Sequence, residues 1–291
     1  MKLKAGDKVF LLGCSNGMTS NDANKQELVD LVTLLEVNFQ LVVEVAPTIF
    51  VSETTKKTHS AKERAKYLVD ALTDTSVQAV FDLTGGDLSN EVLTAISPDQ
   101  WQAIAQVKDI AYIAYSDNTV ILNALVSQSS VTAINFLLWM VVRDDSGTAY
   151  RGFEQVIMAG QRDDWQKIKL QDGSPVSSLE PSEIIGGNIR CFLKLAGTKF
   201  MPQADHKGLL LEAHSGNLTK MRTYIAQLDL IGILEAIDFI VLGKFSELEA
   251  TGEREAFDRL ILEYANQQGF EVWETDYVGH HAATYPFQMT R

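Results

Sequence analysis

The residues best placed to do chemistry lie in the run IAYIAYSDNTVILNAL, where an apolar stretch leads straight into Ser116 and Asp117 and then into a helix-like segment. A serine on a strand-to-helix turn holds its hydroxyl above the sheet edge, beside the next backbone N–H, which is ready for an oxyanion. This is the logic of a nucleophile elbow, although Ala114 and Asn118 stand where a G-x-S-x-G motif has glycines. The plainer reading is that Ser116 only caps the helix. A second feature is FDLTGGDLSNEVL, in which Gly85 and Gly86 end a strand before a helix begins. Paired glycines let backbone amides point outward, toward an oxyanion or a closely approaching ligand. Many α/β proteins use such a pair for turn geometry alone, and no G-x-G-x-x-G fingerprint surrounds this one.

A serine hydrolase needs a histidine base and an acid to orient it. Of His59, His206, His214, His280 and His281, the best placed is His280, which follows Gly279 in the loop YVGHHAATYP. A surface or packing role is the commoner fate of any one histidine. His206 and His214 come without H-E-x-x-H spacing or a carboxylate cluster, so no metal site is read from them.

The elements that would carry these residues alternate. Short β-branched runs at 8–12, 41–45, 77–83 and 110–115 are separated by helix-like stretches near 21–37, 61–72 and 88–96. On the second of these, Ala61, Ala65, Leu68, Val69 and Leu72 share one face. Such alternation reads as βαβ units around a parallel sheet. The polar, turn-rich stretch from about 160 to 181 interrupts the pattern like a linker. A second set comes after it, with strands at 208–212, 239–242 and 270–274 and helices near 218–228 and 253–267. The expected fold is therefore α/β with two domains: a parallel-sheet, flavodoxin-like unit over 1–165, a linker over 166–179, and a smaller α/β unit over 180–291.

Composition sets bounds on function. With 291 residues, 46% of them hydrophobic and 22% charged, the chain can bury a substantial core. A formal charge of −13 with no Lys/Arg stripe argues against a nucleic-acid partner. No apolar stretch approaches the roughly 18 residues of a membrane span, and the start is too short in apolar residues for a signal peptide. Cys14 and Cys191 stand alone, which suits a reducing compartment, and a cytoplasmic location is expected.

Taken together and in order, these motifs resemble the LD-carboxypeptidases and their relatives, the microcin C immunity peptidases. LKAGDKVFLLGCS is similar to the family's opening strand, AKERAKYLVDAL to its first amphipathic helix, and TGGDLSNEVL to its Gly-Gly turn. AYSDNT resembles the G-[YF]-S-D-x-T nucleophile segment, and IIGGNIRCFLKLAGT the G-G-N-L start of the second domain. GLLLEAHSGNLTKMRTYIAQLDLIGIL with IVLGKF matches the acid-bearing strand and the helix after it, and VGHHAATYP the late G-H segment. The resemblance implies Ser116 as nucleophile, His280 as general base and then acid, and Glu212 as the group orienting His280. It implies an oxyanion hole from the backbone N–H of Asp117 and one from Gly85 or Gly86, with Asp87 and Asn188 touching substrate. Glu212 ends the buried-looking strand GLLLE, where an unpaired carboxylate is costly and a partner is required. The order Ser, Glu, His puts acid and base in the second domain and the active site in the cleft between domains. Within the family the scissile bond joins an L-centre to a D-amino acid in murein tetrapeptide; relatives cleave the amide of a peptidyl or aminoacyl nucleotide. A small substrate, no metal or organic cofactor, and a homodimer are what the resemblance implies.

The chain departs from the family at Ala114, which adds a methyl at the elbow. VTAINFLLW stands in place of a T-[FY]-x-G-P turn, altering a wall on the substrate side, and Pro286, Phe287 and Gln288 replace P-x-G. Asp87 to Asn90 after the Gly-Gly turn is closer to the immunity branch than to R-G-G-Y-G, but no long aromatic insertion comes after Gly187 to cradle a nucleotide. A reading of another class is a two-lobe ligand-binding protein, since two α/β lobes around a cleft also suit closure on a ligand. A dinucleotide-binding dehydrogenase is disfavoured because GCSNGM lacks the glycine spacing for pyrophosphate.

Overall fold

The structure, a computed structural model, describes residues 2–161, 168–176 and 183–289. Strands β1 (Lys8–Leu12), β2 (Val42–Val45), β3 (Val77–Asp82), β4 (Ala111–Ala114) and β5 (Thr132–Asn135) pair in parallel in the order 2-1-3-4-5. That is the flavodoxin-like order, whose reversal point between β1 and β3 opens a crevice beyond the strands' carboxyl ends. The helices between them are α1 (Asp22–Val37), α2 (Ala61–Thr73), α3 (Ser89–Ala95), α4 (Pro98–Ala105) and α5 (Thr119–Gln128), and the short α6 (Met140–Arg143) and α7 (Thr148–Gly152) come after β5. Helix α2 shows how local sequence sets a boundary. Ser60 and Glu63 form a reciprocal capping box at its start, and Ala65, Leu68, Val69 and Leu72 are buried along one face.

A second sheet has the order β6-β10-β9-β8-β7, with β6 (Ile168–Lys169) antiparallel to β10 (Glu271–Glu274). Strands β7 (Ile184–Asn188), β8 (Gly208–Ala213) and β9 (Phe239–Phe245) run parallel with β10. Helices α8 (Ile189–Leu193), α9 (Leu218–Leu230), α10 (Ile233–Ala236), α11 (Ser246–Thr251) and α12 (Arg254–Gln268) complete it. Part of the expected linker, at 166–167 and 177–179, lies outside the described residues, while its middle supplies β6.

The last strand, β11 (Phe287–Gln288), pairs antiparallel with β5 and so returns to the first sheet. Just beyond it, Met289 N–H donates to Ala133 O and Met289 O accepts from Ile184 N–H of β7, each at 2.9 Å. One apolar cluster runs from Leu12, Tyr112 and Val120 through Leu210, Val241 and Trp273, so packing is continuous between the sheets. Glycines at the junction allow this closeness. Gly186 and Gly187 have φ of 101° and 120°, and a Cβ on Gly187 would lie 2.8 Å from Thr119 Oγ1. The Asn123 side chain exchanges two hydrogen bonds with the Gly186 backbone, at 2.8 and 2.9 Å, like a one-residue strand laid against β7.

Candidate active site

Strand β4 ends in extended backbone at Tyr115, and the chain then turns through Ser116 at φ 59° into a 3-10 turn and α5. A left-handed non-glycine residue costs roughly 1–2 kcal/mol and persists only where its surroundings force it. Here they do. The buried Asp117 carboxylate accepts from Ser15 Oγ at 2.6 Å, from Ser89 N–H at 2.9 Å and from Lys194. Burial pushes the Asp117 carboxyl up, but the bonds from Lys194, Ser15 and Ser89 outweigh it and hold it below the ordinary range. Asn118 accepts from Ser89 Oγ and donates to Thr84 O at 2.6 Å. Ser89, the serine of Asp-Leu-Ser-Asn, thus props the nucleophile turn. Ala114 lies within β4, fully buried and outside the positive-φ residues, so its methyl sits in the core and not at the elbow's strained position.

Two residues from distant parts of the chain, His280 and Glu212, line up behind this turn. His280 Nε2 lies 3.0 Å from Ser116 Oγ, and His280 Nδ1 lies 2.7 Å from Glu212 Oε2. A carboxylate opposite Nδ1 keeps the proton there and leaves Nε2 to accept from the serine hydroxyl. Glu212 is fully buried near the end of β8, and its other oxygen accepts from Asn188 Nδ2 at 3.0 Å. His280 sits in the loop after β10, which Val278 O ties to β9 by accepting from Lys244 N–H at 2.8 Å. Gly243 lets that loop approach, since a Cβ there would meet Val278 O at 2.4 Å.

Tyr115 belongs to the same cluster and has no counterpart among the expected site residues. Its hydroxyl donates to Glu212 Oε2 at 3.1 Å and lies 3.0 Å from His280 Nδ1. Burial first, and the Glu212 carboxylate second, push this hydroxyl far above the ordinary tyrosine range, so it stays a donor. The ring of His214 lies 4.8 Å from that of His280. Both thiols are poor nucleophiles: burial and then Asp82 push Cys14 well up, and burial and then Asp117 push Cys191 to about 12.

Gly85 faces the nucleophile, for a Cβ on it would lie 3.5 Å from Ser116 Oγ. Among the described residues none accepts a hydrogen bond from the backbone N–H of Gly85, Gly86 or Asp117. The Gly-Gly turn rests on Asp82 at the end of β3. Its carboxylate accepts from Cys14 N–H, Thr84 N–H and the Tyr112 hydroxyl, and burial pushes it up to about 6.

The two expected substrate contacts both bond to other residues of the protein. Both polar atoms of the Asn188 side chain are used, Nδ2 donating to Glu212 and Oδ1 accepting from Cys191 N–H. Asp87 pairs with Arg190, joining the two halves of the molecule at an exposed site.

A cavity of 240 Å³ opens beside Ser116 and His280, with Gly85, Leu137, Trp139 and Arg143 in its walls. Leu137 and Trp139 come from the stretch that departs from the family pattern. Trp139 is fixed by its Nε1–H, which donates to Leu83 O at 2.7 Å.

Residues 9–135 match the LD-carboxypeptidase N-terminal domain and residues 182–290 match the LD-carboxypeptidase C-terminal domain. Among solved structures, microcin C7 self immunity protein in complex with aspartyl sulfamoyl adenosine is similar over 99% of this chain and 92% of its own, with 15% identity and a TM-score of 0.79. An MccF-like protein from Bacillus anthracis is 20% identical over 99% of this chain and 93% of its own, with a TM-score of 0.75. A muramoyltetrapeptide carboxypeptidase from Oxalobacter formigenes is 19% identical over 97% of this chain and 92% of its own, with a TM-score of 0.73. At these identities the likeness is one of fold.

Proposed function

The chain belongs to the LD-carboxypeptidase family of serine-type carboxypeptidases, and we propose that it hydrolyses the amide between an L-centre and a terminal D-amino acid, as in a murein tetrapeptide. The observation that carries this reading is the unbroken line from Ser116 Oγ through His280 to the buried Glu212. Ser116 Oγ bonds to the scissile carbonyl carbon while its proton passes to His280 Nε2. The carbonyl oxygen becomes an oxyanion held by backbone N–H groups of Asp117 and the Gly85-Gly86 turn. Collapse of this intermediate breaks the C–N bond, and His280 gives its proton to the departing amine. Water, deprotonated by His280, then cleaves the acyl-Ser116 ester and returns the serine hydroxyl. Glu212 steadies the imidazolium that forms in each half. Tyr115 and Asn188 hold Glu212 in place.

A second reading, suggested by the neighbours whose structures hold aspartyl sulfamoyl adenosine and glutamyl sulfamoyl guanosine, is cleavage of an aminoacyl-nucleotide amide. Asn123, Met289 and the shared core tie the lobes together, which disfavours the ligand-closing receptor. A cytoplasmic location accords with two buried free thiols. Among the described residues no helix is long and apolar enough to cross a membrane. A homodimer is part of the proposal, for which exposed Val37 on α1 and Val42 on the edge strand β2 offer an apolar face.

The test compares wild type with Ser116→Ala on a murein tetrapeptide ending in D-Ala and on aspartyl sulfamoyl adenosine. Ser116-dependent release of D-Ala is expected, with the variant's kcat lower by about 10⁴–10⁶. Selective cleavage of the adenylate supports the second reading, and no hydrolysis of either refutes both.

A further inference from the structure

The cavity beside the nucleophile has a partly exposed arginine in its wall. Arg143, the last residue of α6, lies in its wall with a side chain 38% exposed, and its guanidinium carbon sits 5.1 Å from the centre of the Trp139 ring. Glu27 on α1 accepts from its Nε and Nη2. Among the described residues no acceptor faces Nη1, so that edge of the guanidinium remains available in a fixed orientation. The remaining titratable groups in the wall are Asp82, buried and directed at the backbone of Cys14 and Thr84, and Tyr115 and His280 of the site itself. The rest of the wall includes Met18, Leu83, Leu137 and Trp139.

The cavity's size narrows the choice of guest. At 240 Å³ it falls below the roughly 300–1,000 Å³ of sites for drug-sized ligands, and so suits one amino acid more than a tetrapeptide or a nucleotide. An amino acid leaving by its amine keeps a free carboxylate. Guanidinium is the side chain whose planar donors fit that group.

We infer that Arg143 sets the specificity of this enzyme for a free terminal carboxylate, by binding the carboxylate of the residue that departs from the acyl-Ser116 intermediate. This rests on the carboxypeptidase reading above. Trp139 fixes the guanidinium from its face and Glu27 from one edge, while the opposite edge meets substrate. Glu27 also offsets the arginine's charge, so the site attracts a carboxylate only where hydrogen bonding is direct.

The experiment measures kcat/KM on a tetrapeptide ending in D-Ala and on the same peptide ending in D-Ala amide, for wild type, Arg143→Gln, Arg143→Lys and Glu27→Gln. The readout is the acid-to-amide ratio, taken on proteins whose thermal melts match wild type. Arg143→Gln is expected to lower the ratio by about tenfold to hundredfold, mainly through KM on the acid substrate. Arg143→Lys restores part of it, and Glu27→Gln leaves it at or above the wild-type value. A ratio unchanged in Arg143→Gln overturns the inference alone. A fall of equal size in Glu27→Gln also overturns it, because the ion pair would then serve only to hold the wall. Wild type inactive on both peptides removes the carboxypeptidase reading and this inference together.

Discussion

At the scale of single residues, Asp82 shows how support for a reactive turn becomes measurable in stability. Its carboxyl, ordinarily near 3.8, is pushed by burial to about 6, so the folded protein binds this proton more tightly than the unfolded chain does. The sign comes from linkage: the stabilisation is complete below about 3.8, shrinks as pH rises through 6, and is absent above. The difference amounts to about 3 kcal/mol. The unfolding free energy of wild type minus that of Asp82→Asn is therefore expected to fall by that order between pH 4 and 7, read from denaturant curves at each pH. A flat difference would mean that Asp82 is already ionised at pH 4. The sequence made Ser116 a candidate, because a strand, a serine and a helix in succession carry their own geometry, and the ordered family motifs chose nucleophile over helix cap. Glu212 came from the family resemblance, with which the cost of burying a lone carboxylate agreed. Tyr115 was not legible, since an aromatic residue ending an apolar strand looks the same whether its hydroxyl meets a carboxylate or water. Asn188 was expected to touch substrate, and in the structure its side-chain amide bonds Glu212 and Cys191.

At the scale of elements, the junction of β7 with α5 couples the acid's strand to the nucleophile's helix. Gly187 stands at φ 120° with Thr119 beside it, and the next residue, Asn188, bonds Thr119 through its N–H and Glu212 through its side chain. Gly187→Ala should destabilise the protein by about 2 kcal/mol or more. It should also lower kcat more than it raises KM, because the shift passes to Glu212 and not to the substrate pocket. A melt and a kinetic series on one preparation check both. Alternating segments such as β1, α2, β3 and α12 were readable because their apolar periods are clean. β5 was not, because VTAINFLLW, polar only at Thr132 and Asn135, has no clean period of two and gives strand and helix much the same signal. β7 was hidden by its glycines, which depress strand propensity but here allow α5 to approach.

At the scale of the whole molecule, β11 decides how the halves are joined. Two residues are too few to announce a strand, and their pairing with β5 is a contact with a distant part of the chain that no local pattern encodes. Phe287 is nevertheless fully buried in the core that both sheets share. Phe287→Ala is expected to cost about 3–5 kcal/mol in denaturant unfolding. It should depress activity as well, through the His280 loop that ends at this strand. Unfolding that stays a single transition in the variant would show that the two sheets still melt as one unit.

The His280 loop is fastened at both ends, by Val278 to β9 of one sheet and by Phe287 to β5 of the other. A bilobal receptor works as a hinge, swinging wide to admit its guest and shutting to hold it. Here the short span from one fastening to the other is a strap across the jaws, and it carries the catalytic base. Opening the jaws would drag His280 off Ser116, so this molecule is built as a fixed vice: substrate must be fed into a gap already set to working width.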